Sequence, residues 1–295
     1  MALSLAALLL LSPSARSETR NICERHDAFV SESLSIRHLV LRNHKNRHRY
    51  PGYWGNIIPS SKVCNLSNKG ITSLVASDFN GLSDLGVLLL DDNALTSLPQ
   101  GVFNKLPNLF YLDLRDNDLT SLPSNMFNGL YNLGYLDLSS NKLTTLPSGV
   151  FNGLYRVKYL NLSYNSLTTL PEGILGRGRS GGLFTLHLQN NQLTSLPENM
   201  FHGRIHGQRH VPLFTFELQN NQLTSLPENI FDSLWIMIKT GHGLGSGINL
   251  SNNPLQCLPK KIITNYQHAL KATVPITACN TVNLAGGSAV TEGGD

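Results

Sequence analysis

The sequence predicts an α/β solenoid: a horseshoe with a parallel β-sheet on its concave face and irregular, 3-10 or short helical segments on its convex side. Two observations lead to this fold class. The text Leu-x-x-Leu-x-Leu-x-x-Asn-x-Leu-x-x-Leu-Pro recurs, most clearly over Leu109–Pro123 and Leu133–Pro147. Its asparagine recurs every 24 residues, at Asn93, Asn117, Asn141 and Asn165. Self-similarity at this period indicates stacked coils that share one core.

The later coils are longer than the first ones. The asparagine spacing is 26 residues from Asn165 to Asn191, then 30 to Asn221 and 32 to Asn253. Lys69 stands in the same place 24 residues before Asn93. We therefore expect about eight repeats in one continuous array over residues 63–253.

Each position of the repeat has a physical reason. Leu112 and Leu114 alternate, so both point to the same face of a short strand. The Asn117 amide can satisfy backbone groups that no helix or sheet pairs. Pro123 suits an extended return segment, since it fixes φ and donates no hydrogen bond. Large apolar residues follow each asparagine by ten positions and should fill the convex side of the core: Phe103, Phe127, Phe151, Leu175, Phe201 and Phe231.

The two ends of the chain differ from the repeats. Ala2–Leu11 is apolar except for Ser4, and Ala15-Arg16-Ser17 offers a small-x-small cleavage site, so residues 1–17 are interpreted as a secretory signal. The alternative is a cytosolic chain with an apolar start. We expect an N-terminal cap over 18–62, a C-terminal cap over 254–280 and a flexible Gly/Ser tail over 281–295. These features favour an extracellular location, with no transmembrane segment.

Four cysteines flank the repeats, and this usage suits an oxidising compartment. Cys23 and Cys64 precede the first regular repeat, whereas Cys257 and Cys279 follow the last. Three pairings are possible. Pairing Cys23 with Cys64 and Cys257 with Cys279 is favoured because each bridge would close one open end of the solenoid. Four free thiols are the alternative.

The segment Leu-Thr-Ser-Leu-Pro-x-x-x-Phe, as in Leu119–Phe127, resembles the typical 24-residue class of extracellular leucine-rich repeat proteins. That class includes Toll-like receptor ectodomains, small proteoglycan cores and the variable lymphocyte receptors of jawless fish. The resemblance covers roughly residues 63–259. Asn253–Cys257 looks like the opening of the family's C-terminal cap, although that cap usually has four cysteines and this chain offers two. The resemblance implies a binding scaffold.

The predicted binding surface is the concave face, where the residues around each Leu-x-Leu should point outward. Exposed tyrosines flanked by acids would suit protein recognition, since aromatic residues dominate interface hot spots. The alternative is that Tyr-Leu-Asp-Leu is ordinary repeat text. The candidate ligand-binding residues are Tyr111, Asp113, Arg115, Tyr135, Asp137, Tyr159, Tyr164, His187 and Glu217.

Three Asn-Leu-Ser sequons predict glycosylation at Asn65, Asn161 and Asn249, all in the Leu-x-Leu position. Unmodified repeat asparagines are the alternative.

The basic segment Arg37–Arg49 contains five arginine or lysine residues and no acid. It could bind a polyanion by charge, although such a run is more often a solvated loop. No nucleic-acid partner is expected.

Two catalytic patterns and one histidine series are discounted. The Gly-x-Gly-x-x-Gly and Gly-x-Ser-x-Gly patterns in 176–182 lack the strand and helix that they require. His202, His206 and His210 recur every four residues, but glycines interrupt any helix there. These segments belong to three inserts, 176–182, 202–212 and 235–247, which are either tolerated loops or gene-model errors. We expect no enzyme activity, no cofactor and no metal.

The sequence thus favours a secreted binding protein that recognises a protein or glycoconjugate ligand through its concave face. A structural extracellular-matrix or cell-surface component that binds polyanions through its basic segment is the alternative. Neither the ligand nor the oligomeric state follows from the sequence.

Overall fold

The structure, a computed structural model, describes the repeats and parts of both ends. The described residues are 21–25, 29–30, 62–172, 174, 185–198, 200, 211–212, 215–230, 234–235, 247–266, 270–271 and 278–279. The predicted signal 1–17, the basic segment Arg37–Arg49, the glycine patterns in 176–182 and the three spaced histidines lie outside the described residues, as does the tail 281–295.

One short strand per coil builds the main sheet. The elements are α1 (Ile22–Arg25), β1 (Phe29–Val30), β2 (Lys62–Asn65), β3 (Leu85–Leu89), β4 (Tyr111–Asp113), β5 (Tyr135–Asp137), β6 (Tyr159–Asn161), β7 (Thr185–His187), β8 (Val211–Pro212), β9 (Thr215–Glu217), β10 (Leu234–Trp235), β11 (Gly247–Asn249), α2 (Lys260–Tyr266) and β12 (Leu270–Lys271). In the described part of the chain the sheet has ten strands in the order β1-β2-β3-β4-β5-β6-β7-β9-β11-β12. Strand β1 pairs antiparallel with β2, and the other pairs are parallel. The chain is therefore a solenoid of stacked coils, as predicted.

The main core lies on one face of this sheet. Leu112 and Leu114 are both fully buried there, which confirms the predicted alternation. Phe103 and Phe127 are fully buried as well, and Phe127 stacks on Phe151 with ring centroids 5.7 Å apart. The remaining predicted positions of this series, Leu175, Phe201 and Phe231, lie outside the described residues. Each coil thus buries its apolar side chains only against its neighbours.

A ladder of buried asparagines joins successive coils. Nδ2 of Asn141 donates to the carbonyl of Leu114 in the preceding coil at 3.0 Å and to the carbonyls of Leu138 and Ser139 in its own. Its Oδ1 accepts the backbone N–H of Leu119 at 3.0 Å. One amide therefore satisfies backbone groups of two coils, as the sequence predicts. The equivalent residues are Asn93, Asn117, Asn165, Asn191, Asn221 and Asn253.

Two disulfides lie at the ends of the array, in the pairing that the sequence favours. Cys23 bonds Cys64, and both are fully buried with Ile22 in the main core. Cys257 bonds Cys279 beyond the last long coil. The first bridge ties α1 to β2, and the second joins two segments that also pair at Leu258 and Ala278.

Two of the inserts meet in a small second sheet. Strand β8 at the end of insert 202–212 pairs in parallel with β10, with Val211 opposite Leu234. The rest of these two inserts, apart from Gly247 at the start of β11, lies outside the described residues. The parallel pairing gives the two longest coils a contact that the 24-residue coils lack.

Candidate ligand-binding face

The sheet face opposite the main core is called the concave face below. Parallel register places equivalent residues of successive coils in straight rows across it. One row is Tyr111, Tyr135, Tyr159, Thr185 and Thr215. The next is Asp113, Asp137, Asn161, His187, Glu217 and Asn249. The nine predicted ligand-binding residues come from these rows, from Arg115 two positions further along and from Tyr164, which follows the strand.

The tyrosines of the first row are not exposed, and this part of the prediction is wrong. Tyr111 and Tyr135 stack with ring centroids 4.1 Å apart and planes within 1°, and Tyr135 stacks on Tyr159 at 4.4 Å. Tyr111 and Tyr135 are at most 1% exposed, and they belong to a second hydrophobic cluster that includes Val87 and Phe110. Parallel stacking covers both faces of the middle ring, so Tyr111 and Tyr135 stabilise the sheet and offer almost no area to a ligand, whereas Tyr159 is half-buried.

The two aspartates of the second row, Asp113 and Asp137, are buried too. Asp137 is 3% exposed and accepts four hydrogen bonds: from the Tyr135 hydroxyl at 2.9 Å, from Asn161 Nδ2 at 3.1 Å, and from the N–H and hydroxyl of Ser139. This carboxylate holds two neighbouring coils together, and its lone pairs are committed to internal donors. One of the four bonds comes from Asn161 in the next coil, and the sequence alone does not show this contact between coils.

The Arg115 guanidinium lies among the carboxylates of three residues, Asp91, Asp113 and Asp116. Its Nη2 lies 3.3 Å from Asp91 Oδ2, and its Nε lies 3.6 Å from Asp113 Oδ2 and 3.8 Å from Asp116 Oδ2. Asp113 is fully buried, and burial together with the negative charge of Asp137 raises its pKa well above the usual range. Asp113 and Arg115 therefore belong to an internal charge network. The sequence analysis missed Asp91, which holds the repeat position of Arg115 one coil earlier and could have been found from that 24-residue spacing.

The C-terminal part of the concave face is more open than the part that holds the stacked tyrosines. His187, Glu217 and Asn249 are half-buried rather than buried. Gln189 and Gln219, which continue these two coils, are also partly exposed, and Gln189 Nε2 lies 3.3 Å from His187 Nδ1. Oε1 of each glutamine is buried without a hydrogen-bond partner in the described part of the chain. Polar side chains with unused bonding capacity thus line this half of the sheet.

A row of residues with a left-handed backbone conformation follows the strands. Eight non-glycine residues share φ values between 52° and 57°: Asn68, Asp92, Asp116, Ser140, Tyr164, Asn190, Asn220 and Asn252. Seven of them are Asn, Asp or Ser, whose short polar side chains tolerate or bond within this conformation. Asn220 Nδ2 donates to Asn190 Oδ1 at 2.8 Å, and Asn252 Nδ2 to Asn220 Oδ1 at 2.7 Å.

Tyr164 is the exception in this row. It has φ 54°, a conformation that is strained for a bulky side chain, and its ring is 57% exposed. The row places it between Ser140 and Asn190, beside the open C-terminal half of the concave face. Tyr164 is the most exposed of the predicted ligand-binding residues.

The three sequons have different environments. Asn161 is 9% exposed, its Nδ2 donates to Asp137, and its Oδ1 accepts from the N–H and hydroxyl of Ser163. Asn65 and Asn249 are half-buried, and only their Oδ1 atoms take part in the hydrogen bonds to the following serines. The nitrogen that would receive a sugar is therefore already in use at Asn161.

Comparison with known families and structures agrees with this architecture. A family model described as leucine rich repeat matches residues 62–119, 83–143, 111–167 and 132–177. The match spans 62–177, less than half of the chain, and the stacked coils of the structure show the same leucine-rich repeat fold. A comparison with curated protein sequences finds no match.

Solved structures share this fold, and one of them illustrates the likeness. A chain in the structure of the Drosophila Toll–Spatzle complex, a molecular hub in development and innate immunity, is 25% identical with a TM-score of 0.57. The alignment covers 72% of the present chain and 26% of the Drosophila chain. The leucine-rich repeat protein thus spans about a quarter of the length of that relative. Within the described ranges, none of its helices has the length and apolar character that crossing a bilayer requires.

Proposed function

We propose that this leucine-rich repeat protein acts outside the cell and recognises a protein ligand through the C-terminal half of its concave face, with Tyr164 at the centre of the contact. The observation that supports this most directly is Tyr164 itself, a strained and exposed aromatic residue on a rigid scaffold. The two disulfides favour an oxidising compartment. The likeness to a chain of the Toll–Spatzle complex supports protein recognition as the kind of function.

The backbone strain at Tyr164 supports its assignment to the ligand-binding site. The other residues of the left-handed row show that Asn, Asp and Ser fit this backbone, and a tyrosine there costs about 1 kcal/mol or more. Violations of local preference tend to occur at functional sites, where the loss of stability is offset by binding. Tyrosine is also among the side chains that contribute most to protein interfaces.

The surroundings of Tyr164 suit a polar interface with one aromatic anchor. Gln189 and Gln219 are partly exposed and have side-chain oxygens without hydrogen-bond partners among the described residues, and Glu217 adds a partly exposed carboxylate in the neighbouring row. An interface typically places polar groups around a buried anchor. Because the strands and the asparagine ladder fix these side chains before binding, little conformational entropy is lost on association.

The test compares Tyr164→Asn with the parent protein in a pull-down from extracellular extract. The substitution removes the aromatic ring and relieves the strain, so we expect weaker capture, by roughly tenfold to a hundredfold, in a protein that is more stable by about 0.5–1 kcal/mol. Thermal unfolding measures the second quantity. Tyr135→Ala is unsuitable as a test of binding, because the buried Tyr135 ring supports the fold.

The matched control is Val75→Ala, since Val75 is also 57% exposed but lies in a different part of its coil. A partner that both the parent and the control capture, and that Tyr164→Asn loses, supports the proposal. A partner that Tyr164→Asn retains and that salt releases from all three proteins would contradict it. That outcome would favour attachment by the basic segment Arg37–Arg49 to a polyanion.

A further inference from the structure

We propose that this protein forms a symmetric homodimer through an edge strip made of the dipeptides 83–84, 107–108, 131–132 and 155–156. The strip lies where each coil enters its strand, on the opposite side of the sheet from Tyr164. The partner is a second copy of the chain, related by a two-fold axis that passes between the second and third coils of the strip. The inference is independent of the concave ligand site.

Hydrogen bonds and ring stacking make the strip continuous. Asn108 Nδ2 donates to the carbonyl of Ser83 at 2.9 Å, and Asn132 Nδ2 donates to the carbonyl of Pro107 at 2.9 Å. Tyr131 and Tyr155 stack with centroids 6.1 Å apart and planes within 8°. The side chains of four successive coils thus form a single ordered surface.

Tyr131 and Tyr155 in this strip are exposed, although their rings stack on each other. Tyr131 is 56% exposed and Tyr155 is 37% exposed. The same position holds Ser83 and Pro107 in the two preceding coils, so the repeat itself does not require an aromatic residue there. A pair of exposed tyrosines on an otherwise polar edge indicates a contact surface.

Arg156 holds the position that Asn108 and Asn132 hold in the two preceding coils, where each asparagine bonds to the coil before it. Arg156 Nη1 donates to Asn132 Oδ1 at 2.8 Å, and this bond holds the guanidinium beside the tyrosine pair. At the other end of the strip stands Asp84, whose side chain is 55% exposed and pairs with Lys62 Nζ at 2.7 Å. That bond lowers the pKa of Asp84, which therefore carries a negative charge at neutral pH. Because Asp84 is paired with Lys62, that end of the strip presents an exposed carboxylate without net charge, whereas Arg156 makes the other end basic.

These residue types make the strip complementary to itself when one copy is reversed. A two-fold axis between the second and third coils places Arg156 against Asp84 of the second copy, and the reverse pair forms as well. The same operation places Tyr131 over the second copy's Pro107, and Tyr155 over its Ser83. The Arg156 guanidinium then meets a carboxylate at each of the two outer coils, and a tyrosine meets a smaller side chain at every coil, whereas a parallel arrangement would oppose like with like.

The expected dimer is weak. Four coils at a strand spacing of about 4.8 Å give a strip of roughly 15–20 Å. Such a strip buries less than the ~1,200 Å² that stable complexes commonly bury. Exchange between monomer and dimer should therefore be reversible and concentration-dependent. The concave faces of both copies remain open, since the strip precedes the strands.

The experiment is analytical ultracentrifugation of the purified protein over a wide range of loading concentrations, using Asp84→Arg, Arg156→Asp and an equal mixture of the two. Each variant alone sets like charges against each other twice, so its dimer dissociation constant should rise by roughly tenfold. In the mixture, the arginine introduced at position 84 meets the aspartate introduced at 156, and the native Arg156 meets the native Asp84. Self-association should therefore return on mixing.

Tyr131→Ala combined with Tyr155→Ala should abolish the dimer, whereas Tyr164→Ala on the other edge should leave it unchanged. All substituted side chains are exposed, and thermal unfolding verifies that each variant folds. A parent protein that stays monomeric at every concentration would overturn the proposal. So would a dimer that the single charge variants leave intact, or a mixture that associates no better than its components.

Discussion

At the scale of the residue, three aspartates in and beside β4 are buried. Asp113 lies beside Asp137 and Asp91 with Arg115 as the opposing charge. Burial is the largest cause that raises its pKa, and Asp137 adds to it. The folded state therefore binds the Asp113 proton more tightly than the unfolded state does. Its contribution to the free energy of unfolding is present at low pH and is lost as the pH rises above the usual aspartate range.

Replacing Asp113 by Asn tests this charge network. At neutral pH, Asp113→Asn should raise the thermal unfolding midpoint, because a neutral amide avoids the unfavourable buried charge while its Oδ1 can still accept the Arg115 N–H. Below the usual aspartate pKa of about 3.9, the difference from the parent should vanish. Asp118→Asn is the control, since Asp118 forms an exposed pair with Lys142 and should change stability by less than about 1 kcal/mol. Equal effects at both pH values would contradict the expectation.

The asparagine ladder gives a second prediction at this scale. Asn141→Ala removes the donor to Leu114 and Leu138 and the acceptor for Leu119, all of which are buried. Leaving these backbone groups without partners should lower the free energy of unfolding by about 3 kcal/mol in urea denaturation. The exposed Asn152 offers a matched control, and its replacement by Ala should have an effect within about 0.5 kcal/mol.

At the scale of the element, the sequence predicts the strands well and their outward side chains poorly. The Leu-x-Leu alternation identifies the core face because burial there depends only on each coil's own periodicity. The stacking of Tyr111, Tyr135 and Tyr159 depends on the register between coils, which no single repeat encodes. For the same reason, Tyr164 can be selected from the candidates only when its φ and exposure are known.

The terminal element α1 depends on its disulfide. Removing the Cys23–Cys64 bond by Cys23→Ser and Cys64→Ser opens a loop of 41 residues and should lower the free energy of unfolding by about 4 kcal/mol. The matched comparison is Cys257→Ser with Cys279→Ser, which opens the shorter loop of 22 residues and should lower the free energy of unfolding by less. A variant as stable as the oxidised parent would show that β1 and β2 hold this end without the bond.

At the scale of the whole molecule, each coil contacts only its neighbours, so stability should vary along the array. The interior coils of β4–β6 have a partner on both sides, whereas the bridge between Leu258 and Ala278 lies at an end. Hydrogen exchange should therefore be slowest at amides such as Leu114 N–H, which donates to Asp137, and at least ~tenfold faster at Cys279 N–H, which donates to Leu258. Uniform protection along the chain would instead indicate a single cooperative opening.

The stacked tyrosines of the concave sheet also have an optical consequence. Aromatic rings held parallel at 4.1–4.4 Å couple their electronic transitions, so the row Tyr111–Tyr135–Tyr159 should give a strong near-ultraviolet circular dichroism band. The band depends on register rather than on secondary structure. It reports, without any added label, whether three successive coils remain aligned. A spectrum recorded during ligand binding or unfolding would therefore follow the alignment of the sheet directly.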